Sequence, residues 1–131
     1  MVFAARKENS MTLFECLVLA HLIGDWLLQT EHEAMNKAKG HFCNFAILKH
    51  CASYTLTFVP FFFTFGLSLV WLVPVFVSHW FLDRRWPVIT FIHVAKRTSR
   101  ETINNLFWLV IAVDQVLHIL VIASIVLLQS I

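Results

Sequence analysis

HCASYTLTFVPFFFTFGLSLVWLVPVFVSHWFL, residues 50–82, contains no Asp, Glu, Lys or Arg. A bilayer core takes about 20 helical residues, so this run is too long for one crossing and predicts two helices joined by a tight turn. Gly66 with Ser68 offers the turn, and Pro60 bends the first helix. The whole chain agrees: 59% of it is hydrophobic and 14% charged, with thirteen Phe and five Trp, against roughly half apolar and a quarter charged in soluble domains. The chain reads as an all-α integral membrane protein of the cell (inner) membrane.

The pattern predicts one domain over residues 1–131 with transmembrane helices at 13–29, 42–65, 67–84 and 99–128. Polar loops occupy 30–41 and 85–98. Thr12 with Glu15, Thr30 with Glu33, and Thr98 with Glu101 have capping-box spacing. Between loops, Glu33 and Lys37 are four apart on a short interfacial helix, and Gly40 suits its C-terminal cap. Trp86 and its neighbouring arginines look like an interface anchor, and Lys49 snorkels to the interface. The loops after helices one and three hold Lys37, Lys39, Arg84, Arg85, Lys96, Arg97 and Arg100, against Arg6 and Lys7 on the other side. By the positive-inside rule those loops are cytoplasmic and both termini face outward.

Several classes are disfavoured. A net charge of +2 is too small to argue for nucleic acid. Glu15, His21 and Asp25 interrupt the first apolar segment, which speaks against a removable signal peptide. Cys16, Cys43 and Cys51 lack CxxC spacing and read as buried thiols. GxSxG, P-loop, HExxH and GxGxxG motifs are absent from the sequence.

What remains is a set of ionisable groups inside apolar helices. His21 and Asp25, His79 and Asp83, and Asp114 and His118 are each four residues apart, hence on one helical face. Helices one and three run toward the cytoplasm with His first, and helix four runs away with Asp first, so each aspartate lies cytoplasmic to its histidine. At 1.5 Å per residue, His50 on helix two falls ~12 Å deep, in the histidine layer. Buried carboxylates must face inward and find partners. Carboxylates with neutral imidazoles are a ligand set for zinc, iron or manganese. The candidate ligands are His21, Asp25, His50, His79, Asp83, Asp114 and His118, with Asp25, Asp83 and Asp114 as candidate catalytic carboxylates. Tyr54 and Gln115 can join them. The competing reading is interhelical Asp–His hydrogen bonding that only fixes packing. Haem ligation by four histidines leaves the aspartates unexplained. His32, His41 and His93 fall in polar segments and read as solvated.

The stretches LAHLIGDWLLQT, EAMNKAK, LKHCASYT, SHWFLD and DQVLH resemble a family of small bacterial and phage integral-membrane proteins known only as a domain of unknown function. Its pattern is HLxGDxxLQ, a lone His on the second helix, HxxxD and DQxxH. The resemblance spans residues 19–118, with Trp26 where an aliphatic residue or Phe is expected. It implies a four-helix membrane protein and implicates His21, Gly24, Asp25, Gln29, His50, His79, Asp83, Asp114, Gln115 and His118. An internal echo is also visible, His21, Asp25 and His50 against His79, Asp83 and His118, as in two related helical hairpins. Ala46 stands where strict repetition needs an acid.

These observations predict a divalent-metal site near the cytoplasmic face, in a hydrolase acting on a membrane-associated, lipid-like substrate in the bilayer. An ion- or proton-translocating module, oligomerised around a pore, and a non-catalytic accessory protein are the alternatives.

Overall fold

The computed structural model describes residues 10–131, so Arg6 and Lys7 of the orientation argument lie outside the described residues. Among the described residues there are eight α-helices and no strand. Helix α1 (Leu13–Leu22) begins at a capping box: Thr12 Oγ1 accepts from the Glu15 amide, and the Glu15 carboxylate accepts from the Thr12 amide. It runs into a π-turn at Ile23–Leu27. Helix α2 (Glu31–Asn36) opens with the same reciprocal arrangement between Thr30 and Glu33.

The expected second helix is two helices, α3 (Phe45–Leu56) and α4 (Val59–Phe65). Pro60 has no amide to offer the Leu56 carbonyl and its ring crowds that carbonyl, so the ladder breaks just before it. Gly66 then takes φ +67°, the left-handed conformation that reverses the chain. A short 3₁₀ turn (Leu69–Trp71) leads into α5 (Leu72–Leu82).

Residues 85–98, expected as an irregular loop, contain helix α6 (Trp86–Ala95). Pro87 sits in its first turn, where a missing amide costs nothing, and Val88 and Ile92, four apart, are fully buried. Helix α7 (Arg100–Asn105) is capped by Ser99, whose hydroxyl accepts from the Thr102 amide, in place of the expected Thr98–Glu101 box. After a break at Leu106 (φ −112°, ψ 58°), α8 runs over Phe107–Leu128. Among the described residues α8 alone is long and apolar enough to cross a membrane, while Leu69–Leu82 and Trp86–Ala95 are apolar but shorter.

Four elements close a ring: the α1 π-turn touches α3, α3 packs on α5, α5 on α8, and α8 on α1. One end of the ring is apolar, built on Leu17, Phe58, Phe62, Val75 and Ile122. A second apolar cluster joins Leu82, Val88, Ile92, Ile103 and Val110 where α6 and α7 meet α8. Along α8 Asp114 and His118 fall between Val110 of one cluster and Ile122 of the other, and on α5 His79 falls between Val75 and Leu82. The outside is strongly apolar: Leu27 is 75% exposed and Phe63 70%. Cys16 and Cys51 are buried as expected, but Cys43, in the turn before α3, is exposed.

Gly24 lets the π-turn reach α3. A Cβ there would lie 2.8 Å from Tyr54 Cδ2 and 3.0 Å from Tyr54 Cα. Gly24→Val should therefore push the π-turn off α3 and destabilise the fold by about 1–3 kcal/mol, read as a lower thermal midpoint in detergent; an unchanged midpoint would contradict this packing.

Candidate metal centre

The centre begins with α5. His79 and Asp83 lie one turn apart near its end, with His79 Nε2 3.2 Å from Asp83 Oδ2. From α3, His50 Nε2 comes within 3.0 Å of Asp83 Oδ2, 3.3 Å of Asp25 Oδ1 and 3.0 Å of His79 Nε2. His79 Nε2 is 3.9 Å from Asp25 Oδ1. These four donors, two imidazole and two carboxylate, all belong to buried residues. Tetrahedral coordination at 2.0–2.2 Å separates neighbouring donors by about 3.3–3.6 Å, and the observed separations of 3.0–3.9 Å bracket that spacing.

Lys37, read as one of the loop cations, is inside this group. Its Nζ lies 2.8 Å from Asp83 Oδ2 and 3.3 Å from Asp25 Oδ1. Burial works against its charge, but the carboxylates of Asp83 and Asp25 outweigh burial and raise the Lys37 pKa above its ordinary value. The expected Glu33–Lys37 pair is replaced: Glu33 Oε1 is 3.2 Å from Lys49 Nζ, which is otherwise half-exposed. Arg84 is also buried and donates to the carbonyls of Lys37, Gly40 and His41, holding the segment that carries Lys37. Gly40, expected as a helix cap, thus serves as an anchor for Arg84.

A second group shares Asp83. Donor atoms of Asp83, Asp114 and His118 lie within 4.8 Å of one another. His118 Nδ1 donates to the Asp114 carbonyl oxygen at 2.9 Å, which leaves the Nε2 lone pair free, and Nε2 is buried without a partner. A ligating histidine is commonly oriented in this way.

His21 stands beside both groups and belongs to neither. Its Nε2 donates to Gln115 Oε1 at 3.0 Å and its Nδ1 accepts from the Tyr54 hydroxyl at 3.0 Å, so both nitrogens are engaged. The expected direct His21–Asp25 pairing does not form. The π-turn at Ile23–Leu27 widens the helix and turns Asp25 off the His21 face. Gln115 bridges them, its amide donating to Asp25 Oδ2 at 2.9 Å and Asp114 Oδ2 at 3.2 Å. Tyr54 also stacks flat on His79, with centroids 3.5 Å apart. Gln29 Nε2 is 3.4 Å from His50 Nε2. His32, His41 and His93 are exposed.

The groups open onto a cavity of about 430 Å³ whose lining includes Asp25, Lys37, Asp83, Asp114 and Gln115 together with Arg85, Trp26, Phe107 and Ile111. Arg85 takes φ +63° and stacks over the Phe107 ring.

A family described as "Protein of unknown function (DUF3307)" matches residues 13–131. The chain belongs to this family. The family match covers every donor of both groups, as well as Lys37, Gln115 and Arg85. No curated protein and no solved structure matches the chain. The family's description assigns no activity.

Removing the ammonium leaves Asp25 and Asp83 facing each other uncompensated. Breaking a buried ion pair from one side costs about 3–5 kcal/mol. Lys37→Met should therefore lower the unfolding free energy of chelator-treated protein by about that amount; a loss below ~1 kcal/mol would show that the carboxylates do not depend on Lys37.

Proposed function

We propose that the chain is a multi-pass membrane protein whose His/Asp cluster binds a divalent transition-metal ion and hydrolyses a membrane-associated substrate. The observation that carries the reading is the convergence of Asp25, His50, His79 and Asp83, drawn from three separate elements, at coordination spacing. Hydrogen-bonded packing needs pairs; it does not need four donors about one point.

The bound ion would supply a water of lowered pKa. Asp114, at the cavity wall, would accept the proton from that water. Lys37 would leave the carboxylate oxygens to the metal and turn into the cavity it already lines, where with Arg85 it faces the anionic part of a substrate. Trp26, Phe107 and Ile111 form the apolar wall along which a lipid-like chain would lie. His21, Tyr54 and Gln115 position Asp25.

The membrane reading draws support from the outer surface, where Leu27, Phe45, Leu56, Phe63 and Leu127 are exposed while His50, His79 and Asp83 are buried. In water that arrangement exposes apolar patches no monomer carries cheaply; in lipid it is the economical one. The basic segments at 30–41 and 85–98 then face the cytoplasm.

One observation favours a second reading. Lys37 already neutralises part of the cluster, so the same side chains form a self-sufficient ion-pair network that fixes packing in a non-catalytic protein. Metal addition separates the two. Manganese or zinc should restore the thermal midpoint of Lys37→Met to within a few degrees of wild type, because the ion takes over the charge of the lost ammonium. No rescue, together with unchanged wild-type melting after chelation, would leave only the network. Topology is testable on the native chain: exposed Cys43 should react with a membrane-impermeant maleimide only when the cytoplasmic face is opened, and labelling of intact cells would reverse the orientation.

A further inference from the structure

We infer that the cluster holds two divalent cations, sharing Asp83 as a bridging carboxylate. The inference rests on the metal-centre reading above and extends it. The two donor groups overlap in Asp83 alone: the first also holds Asp25, His50 and His79, the second Asp114 and His118. The first group is closed, with four buried protein donors. The second has three protein donors and a carboxylate that faces the cavity, Asp114 being 18% exposed in its side chain.

The second group is more than neighbouring acids. His118 is 97% buried by its 3% relative exposure. Its Nδ1 hydrogen is committed to the Asp114 carbonyl oxygen, and its Nε2 lone pair has no partner in a buried site. An unmet imidazole acceptor in such a place costs free energy unless something binds it. No hydrogen-bond donor reaches it among the described residues, and His118 shares its donor group with the carboxylates of Asp83 and Asp114. The Gln115 amide donates to both Asp25 and Asp114, which fixes one carboxylate from each group in mutual register.

The division has a chemical consequence. Four protein ligands make the first position the tighter one, and three ligands with open positions make the second the more exchangeable one, nearer the substrate and able to share the activated water with the first. Two-metal sites of this kind clamp the attacking and leaving oxygens of a displacement. Three carboxylates and one ammonium around two dications leave an excess of positive charge, which selects an anionic group such as a phosphate ester entering from the cavity.

The test is manganese(II) loading of the full chain in detergent after chelator stripping, followed by metal analysis and low-temperature electron paramagnetic resonance. Two ions per chain are expected, with the multiline spectrum of an exchange-coupled pair. Asp114→Asn, nearly isosteric, should drop the count to one and give an isolated six-line signal, and His118→Gln should do the same. One ion per chain with an uncoupled signal in wild type, unaltered by Asp114→Asn, would overturn the second position and leave the single centre standing. No retained ion would overturn both.

Discussion

The contact on which the rest depends is the Lys37 ammonium set between Asp25 and Asp83, at 3.3 and 2.8 Å. Two carboxylates this deeply buried repel each other and have lost their water, a cost of several kcal/mol per ion that only a close opposite charge repays. Lys37 supplies it from the C-cap of α2, an element outside the helical ring. The short polar segment after α1 is thereby docked against the bundle and cannot be a free loop. Arg84 completes the docking by closing the carbonyls of Lys37, Gly40 and His41. A cation position is thus built into the fold, and what occupies it decides between a packing network and a metal centre.

The two hairpins that echo each other in sequence are used differently. His79 meets Asp83 directly at i,i+4, whereas the π-turn parts His21 from Asp25 and Gln115 is inserted between them. His50 nevertheless lies against Asp25, and His118 shares a donor group with Asp83, so the echo survives in which histidine serves which aspartate. Asp114 has no counterpart, since the equivalent place is the buried Ala46. That asymmetry makes one group closed and the other open to the cavity.

Much of this was legible in the residues. The i,i+4 spacing on α5, the charge-free run with its turn at Gly66, and the capping boxes at Thr12 and Thr30 rest on local geometry, which a sequence displays directly. The convergence of His50, His79, Asp25 and Asp83 followed from the cost of burying charge. The π-turn was not legible, because nothing in IGDWL marks an i→i+5 ladder, and it is the π-turn that removed His21 from the donor set. Lys37 was hidden by its own spacing: four residues after Glu33, it looked like half of a local pair, although EAMNKAK was among the stretches that carried the family resemblance. Helix α6 was masked by its basic flanks, while Val88 and Ile92 had the right period. The break at Leu106 shortened the last helix without any Pro or Gly to announce it.

The imidazoles of His50 and His79 and the carboxylates of Asp25 and Asp83 are the proposed metal ligands. X-ray absorption at the zinc edge, on zinc-loaded and washed protein, reads those ligands directly. That ligand set predicts nitrogen and oxygen neighbours at about 2.0–2.1 Å with the outer-shell scattering of imidazole and no sulfur. Zinc lost on washing, or retained with a sulfur shell at about 2.3 Å, would contradict it.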